Sequence, residues 1–313
     1  MRVLVTGAAS GIGRATCLRL ARDAQAAGRT ARLAAVDIET GATLEGLEAE
    51  LRHLGAEPLP LEADMGTPDG PGRVVAEAVD RFGGLDGLVS NAGINRPGAL
   101  VDYTVEDWDR VFAVNVRATW LLARAAHAAL RASGGALVAV GSMSGSHAHA
   151  GLGAYGPSKA AVIMLVRVLA QEFGRDGIRV NALSPGMTRT GMTARVYADP
   201  HVAAERDALV PLGRVATPED MAAVVSFLLS PDARYVNGHD LVVDGGVTGN
   251  LLGRLPGLGQ ITRACGAASE LPVTGARRRL GVAPLAPPGP PASGAGRRCN
   301  RGTRSWCGRP GTT

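Results

Sequence analysis

The stretch "VLVTGAASGIGRA", Val3 to Ala15, runs an apolar strand-like segment into three glycines, Gly7, Gly11 and Gly13, and then into a helical pattern from about Ile12 to Ala27. Strand, glycine turn and helix in that order leave free backbone N–H groups at a helix N-terminus, where a pyrophosphate can sit against them. Glycine permits both the sharp turn and the close approach of backbone to phosphate. Glycines also end strands for structural reasons alone, so it is the position at the first strand-to-helix turn that gives the loop its weight. Ser10 and Ile12 complete the segment that would face the phosphates.

Outward from this loop, short apolar runs alternate with helical patterns. "RLAAVD" precedes a helix expected near Thr43 to Leu54, and "EPLPLEAD" precedes one from about Pro71 to Phe82. "LDGLVSNAG", "GALVAVGS", "IRVNALSPG" and "DLVVDGG" are further buried-strand candidates. Continuous apolar strands separated by helices indicate an α/β fold, a parallel doubly wound sheet covered on both faces in three αβα layers. One helix start is well marked in "ATPED", where Thr217 can cap, Pro218 suits the first helical position and Asp220 holds the capping-box position.

After Gly249 the periodicity stops. Residues 1–250 are therefore read as one catalytic-sized domain and 251–313 as an Arg/Pro/Gly-rich extension too poor in large apolar residues to order itself. That extension holds ten Arg and one Glu, which accounts for more than the whole net charge of +5 and leaves residues 1–250 slightly acidic. A basic arm for nucleic acid is the functional alternative for the tail, but the folded part carries no such signal and nucleic acid is not expected as a partner. With 46% hydrophobic and only 4% aromatic residues, the core should be small aliphatic side chains between closely spaced layers. No apolar run of about 18 residues is present to cross a bilayer, and the chain begins directly as a strand, so a cytoplasmic protein is expected. Cys17 lies in the body and Cys265, Cys299 and Cys307 in the tail, with no C-x-x-C spacing for zinc.

The second strand candidate ends in Asp37. A carboxylate there can accept hydrogen bonds from the adenosine ribose hydroxyls and would repel a 2′-phosphate. Ala9 and Ile38 supply no compensating cation, so NAD(H) is favoured over NADP(H); a surface Asp in a turn is the plainer alternative. Asp64, after the third strand, is placed to meet the adenine amine with Met65 beside the ring, or simply to cap a helix.

Taken together, "TGAASGIG", "SNAG" (Ser90 to Gly93), Asn115, Ser142, "YGPSK" and "SPG" (Ser184 to Gly186) resemble, in order and spacing, the short-chain dehydrogenases/reductases over about residues 1–249. The resemblance implies a Rossmann-like sheet of about seven strands, hydride transfer with a nicotinamide coenzyme, and a homotetramer or dimer. It implies coenzyme contacts from Asn91, Ala92 and Gly93, a nicotinamide pocket shaped by Pro185 and Gly186, and carboxamide contacts from the Thr188 backbone and the Thr190 side chain. The one departure is Ser90 at the head of "SNAG", where the family often has Asn.

The chemistry of the residues agrees. Ser142 ends a strand at the carboxyl edge, where open α/β sheets bind ligands, and Tyr155 follows near a helix start. Lys159 lies one turn beyond Tyr155 on the same face. It is the only lysine in the chain, beside 32 arginines. Tyr155 is the candidate acid/base, Ser142 the hydrogen-bond partner of the substrate oxygen, and Lys159 the group that tunes the phenol and grips the nicotinamide ribose. By resemblance, Asn115 holds the lysine through a water. An ammonium ~4 Å from a phenol, at an effective dielectric near ~20, favours phenolate by about 4 kcal/mol, or about three pKa units at most, with desolvation opposing part of this.

The segment from Arg189 to about Pro211 lacks strong periodicity and is expected to form a mobile substrate lid. Ile94, Asn95, Met143, His149 and Met187 are candidate substrate contacts. His147 and His149 are too few and too badly spaced for a metal site, and none is expected. The function that follows is an NAD(H)-dependent interconversion of a secondary alcohol and a ketone. The rival readings are an NADPH-dependent carbonyl or 3-oxoacyl reductase and a dinucleotide-sensing protein without turnover. The complete Asn, Ser, Tyr and Lys set argues against sensing alone.

Overall fold

A computed structural model describes residues 1–38 and 41–250; the tail 251–313 lies outside the described residues. Seven strands, β1 (Arg2–Thr6), β2 (Arg32–Asp37), β3 (Glu57–Glu62), β4 (Gly87–Ser90), β5 (Ala136–Val140), β6 (Arg179–Pro185) and β7 (Asp240–Val243), form one sheet in the order β3-β2-β1-β4-β5-β6-β7. Every pairing is parallel. The order reverses at β1, between β2 and β4, and this opens a crevice at the carboxyl ends of those strands.

The helices are α1 (Gly11–Ala26), α2 (Ala42–His53), α3 (Gly70–Phe82), α4 (Val105–Phe112), α5 (Ala118–Ser133), α6 (Tyr155–Gly174), α7 (Ala194–Tyr197), α8 (Pro200–Leu209) and α9 (Pro218–Leu229). One turn of π-helix, Ala113–Arg117, joins α4 to α5. Side-chain alternation along the strands divides the core into two layers. Leu4, Ala34, Val36, Leu88, Leu137 and Ala139 pack against α3, α5 and α6. Val3, Val5, Leu33, Ala35, Val89 and Val138 pack on the other face against α1, α2 and α9. Burial of each large aliphatic side chain in these layers contributes about 1.5–3 kcal/mol.

The capping box at α9 forms: the Thr217 N–H donates to the Asp220 carboxylate at 2.8 Å, and Arg214 pairs with the same carboxylate. The segment expected to form a mobile lid, which lacks strong periodicity, is largely helical. A 3-10 turn, Gly191–Thr193, leads into α7 and α8. The cause is local: Asp199 accepts from the His201 N–H at 2.8 Å and Pro200 occupies the first turn of α8. Arg189 pairs with Asp207 at 3.0 Å, and the Arg189 and Arg206 guanidiniums both lie over the Tyr197 ring, 5.1 and 5.5 Å from its centroid. No helix among the described residues is long and apolar enough to cross a membrane.

Candidate active site

The phosphate loop is shaped by close backbone approach. A Cβ added to Gly13 would lie 2.0 Å from the Gly7 carbonyl oxygen and 2.7 Å from Asn91 Nδ2, so only glycine fits. Asn91 Nδ2 donates to the carbonyls of Thr6 and Gly7 at 2.9 and 3.1 Å, and buried Thr6 Oγ1 accepts from the N–H groups of Asn91 and Ala92, both at 3.0 Å. These bonds tie the ends of β1 and β4 together. No side chain caps α1 at Ser10, and its first turn holds no acid. The amides there remain available to an anion, and the residues fit a dinucleotide pyrophosphate.

Asp37, at the end of β2, accepts from the Ala9 N–H and from the Ile38 N–H, both at 2.8 Å. The carboxylate is thus fixed against the rim of the phosphate loop. Asp64 does not cap a helix. Its Oδ1 accepts from the Gly66 N–H at 2.8 Å and from Arg110 at 3.0 Å, and Arg110 holds the carboxyl below its usual range. Met65 is buried in the core layer with α3 rather than open to the crevice. Thr190 stands across the loop, its Cγ2 3.4 Å from where a Cβ on Gly11 would be. Thr188 and Pro185 are buried below it, with Gly186 and Met187 partly exposed.

At the reaction end, Ser142 lies two residues past β5, 8% exposed, and its Oγ accepts from the Ser144 N–H at 3.1 Å, capping the turn Met143–Gly145. Its hydroxyl proton can therefore point elsewhere. Tyr155 begins α6, and Lys159 Nζ lies 5.7 Å from its ring centroid. Lys159 is 4% exposed and donates to the Val140 carbonyl at 2.7 Å. Burial pushes the Tyr155 phenol above its ordinary value, with the Ser142 hydroxyl offsetting only part of this. Burial pushes Lys159 down to about 8. Desolvation, expected to oppose only part of the lysine's attraction, is the larger effect, and it drives both groups toward their neutral forms.

Asn115 sits in the π-turn, 2% exposed. Its Oδ1 accepts from the Ile94 N–H at 2.9 Å, and its Nδ2 donates to the Ile94 carbonyl at 3.1 Å and to Ser158 Oγ at 2.9 Å. The side chain thus bonds Ile94 and Ser158 directly. Lys159 is its neighbour across Gly93, where an added Cβ would be 3.3 Å from Asn115 Oδ1 and 3.4 Å from Lys159 Nζ. Ile94, Asn95 and Met143 are half-buried on the loops beside Ser142. His149 is exposed, its Nδ1 3.5 Å from Ser144 Oγ, and no cluster of three metal-ligating side chains occurs among the described residues. Cys17 is buried, which pushes its thiol up to about 12 and leaves it no nucleophilic role.

Sequence reasoning missed Thr6, Ser158 and Arg110. Ser158 was in view, one residue before Lys159; it donates to the Tyr155 carbonyl at 2.7 Å and links Asn115 to the first turn of α6. Thr6 heads the "TGAASGIG" motif, but its bond to Asn91, 85 residues away, was not foreseen; Arg110 gave no signal, its partner lying 46 residues away.

Residues 7–248 match a family model described as enoyl-(acyl carrier protein) reductase. The chain is 38% identical over 254 residues to (3R)-3-hydroxyacyl-CoA dehydrogenase of Mus musculus, covering 78% of this chain and 95% of that protein. It is 35% identical over 244 residues to the 2,5-dichloro-2,5-cyclohexadiene-1,4-diol dehydrogenase LinX of Sphingobium indicum, covering 78% and 94%. A short chain dehydrogenase from Burkholderia cenocepacia J2315, solved in complex with NADP, superposes with a TM-score of 0.72 at 35% identity, over 79% of this chain and 97% of that one. With residues 7–248 covered by the family model and relatives at 35–38% identity matched over most of their length, the chain belongs to the short-chain dehydrogenase/reductase family of NAD(P)-dependent oxidoreductases.

Proposed function

We propose that the protein interconverts a secondary alcohol and a ketone with NAD(H), using Tyr155 as the proton-transfer group. The observation that supports this reading is the meeting of Ser142, past the carboxyl end of β5, with Tyr155 and buried Lys159 in the first turns of α6. When bound, the nicotinamide supplies the hydride acceptor or donor. Ser142, whose hydroxyl bonds Tyr155 in the structure, would turn that hydroxyl to the substrate oxygen. For oxidation Tyr155 would first lose its proton to solvent and then, as phenolate, take the alcohol proton; for reduction the neutral phenol would give its proton to the nascent alkoxide. Lys159, anchored on the Val140 carbonyl, positions the ribose and stabilises the phenolate as it forms. Asn115 fixes Ile94 and, through Ser158, the first turn of α6.

The preference for NAD(H) rests on Asp37, held by two backbone amides at the ribose edge with no cation at Ala9 or Ile38. The Burkholderia relative was solved with NADP, and an NADPH-dependent carbonyl or 3-oxoacyl reductase is the rival that a reversed preference would support. Residues 1–250 form the catalytic domain in this reading, and 251–313 are dispensable for turnover.

The substrate side is framed by Ile94, Asn95, Met143, His149 and Met187. A surface groove of about 590 Å³ lies elsewhere, between α4, α5 and α6, lined by Phe112, Val116, Trp120 and Leu165. With Trp120, Met164 and Val168 exposed beside it, we assign this face to self-association, which sedimentation tests. The function is tested by screening secondary alcohols and ketones with NAD and NADP while following nicotinamide absorbance. Turnover with NAD exceeding that with NADP supports the proposal; turnover with NADP alone overturns the coenzyme assignment, and no turnover in either direction overturns the function.

A further inference from the structure

Two loops flank the substrate side of Tyr155, one after β4 and one after β5, and they are stitched together. The Gly98 N–H donates to the Gly151 carbonyl at 2.9 Å, the Gly153 N–H donates to the Gly98 carbonyl at 3.1 Å, and Gly98 and Leu152 form a parallel bridge. The Tyr155 N–H then donates to the Leu152 carbonyl at 3.1 Å, so the stitch runs straight into the first turn of α6.

Tyr103 lies over this junction. A Cβ on Gly153 would be 2.1 Å from its Cε2, and one on Gly98 would be 3.4 Å from its Cδ2. Gly153 has φ +53, a conformation that side chains resist, so both the backbone angle and the ring exclude any other residue there. The ring is itself anchored: Tyr103 Oη donates to the Arg96 carbonyl at 3.0 Å, the Arg96 guanidinium pairs with Asp107, and the Asp107 N–H is held by Thr104 Oγ1 at 3.1 Å. Tyr103 belongs to neither core layer. Its contacts join loops to one another rather than helix to sheet.

We infer that Tyr103 is a positioning residue for Tyr155, clasping the two loops through Gly98 and Gly153 so that the start of α6 and the substrate-side wall move as one body. The inference rests on the reading of Tyr155 as the proton-transfer group. A phenol must lie within hydrogen-bond reach of the reacting oxygen, and a displacement of about 1 Å costs on the order of 10²-fold in rate.

The test uses the full chain with Tyr103→Ala, Tyr103→Phe, Gly153→Ala and the Tyr103→Ala/Gly153→Ala double variant. The readouts are kcat, KM, NADH affinity by fluorescence, melting temperature and amide hydrogen exchange. Tyr103→Ala should lower kcat by ~10- to 100-fold with NADH affinity within about twofold. Its melting temperature should fall by less than about 4 °C. Amide exchange should rise by about tenfold or more in both 94–99 and 150–156. Tyr103→Phe, which keeps the ring, should restore kcat to within about threefold of the parent. In the double variant the two losses should not multiply, because the ring that clashes with a methyl group added at Gly153 is gone.

Unchanged exchange in both loops overturns the clasp whether or not turnover is detected. A wild-type kcat in Tyr103→Ala, a Phe variant as slow as the Ala variant, or a loss confined to KM overturns the positioning role. Failure of the underlying reading shows differently, as an active Tyr155→Phe.

Discussion

The phosphate loop and the Tyr155 pocket open on the same edge of the sheet but are built of different material. The loop is backbone held by backbone: Gly7, Gly11 and Gly13 set its path, and Thr6 and Asn91 lock it with four hydrogen bonds of 2.9 to 3.1 Å. Its chemistry is available without titration, since amides carry their partial charge at every pH. The pocket is made of side chains whose charge depends on their surroundings, and burial drives Tyr155 and Lys159 toward neutrality. One end is formed in advance of its ligand. In the other, Tyr155 stays a neutral phenol, while Lys159, pushed down to about 8, still carries its charge at neutral pH.

The largest effect that sharpens this contrast is Lys159→Arg. A guanidinium keeps the positive charge but cannot release a proton, and its planar fork does not replace a compact ammonium donating to Val140. We expect kcat to fall by ~10²-fold or more, measured at saturating coenzyme, with the fold intact by circular dichroism. An enzyme that keeps its rate would show that charge alone is what the pocket needs.

Next comes Gly13→Ala, the corresponding break in the loop. The added methyl falls 2.0 Å from the Gly7 oxygen. It should weaken NADH binding by about tenfold or more and lower stability by about 1–3 kcal/mol, as overpacking does. Unchanged coenzyme affinity would contradict the cradle.

A smaller effect is expected at Asp37→Ala. Losing a carboxylate that can accept from ribose hydroxyls removes roughly 1.5–3 kcal/mol of NAD recognition, which moves the NADP to NAD selectivity ratio by about tenfold or more. A ratio that does not move would leave the carboxylate only its loop-rim bonds to Ala9 and Ile38.

The smallest lies outside both regions, at the α9 cap. The Asp220 carboxyl is pushed down to about 2 by Arg214 and by the Thr217 amide. Its folded value lies below its unfolded one, so its contribution is present above the ordinary carboxylate range and is lost as pH falls from about 4 to about 2. Asp220→Ala should cost about 1 kcal/mol at neutral pH and progressively less as pH falls through about 2, as read from denaturation midpoints.

The same contrast explains what could be read in the sequence. The sheet was legible because strand residues alternate between two layers, and each apolar run such as "VLV" or "ALVAV" feeds both. The loop was legible because close backbone approach requires glycine at fixed spacing. Tyr155, Lys159 and Ser142 were legible as types and spacings, but the direction in which their protons shift was not, because it depends on neighbours brought in by the fold. Asn115 illustrates this: its partners Ile94 and Ser158 are 21 and 43 residues away. The helices α7 and α8 were missed for another reason. Asp199 and Pro200 are an ordinary helix start, outweighed in the reading by weak periodicity across the segment. Arg110 on Asp64 and Tyr103 on Gly153 have no local pattern at all.

The most direct test of the account is proton release on coenzyme binding. Binding of NAD to the full chain is measured by calorimetry at mildly alkaline pH in two buffers of different ionisation enthalpy, for the wild type and for Tyr155→Phe. Positive charge arriving beside a phenol kept neutral by burial lowers its pKa, so the wild type should release a fraction of a proton that the phenylalanine variant does not. Tyr155→Phe should also lose turnover while still binding NADH. Equal proton release by the two proteins, or turnover surviving in the variant, would contradict the assignment of Tyr155 as the proton-transfer group.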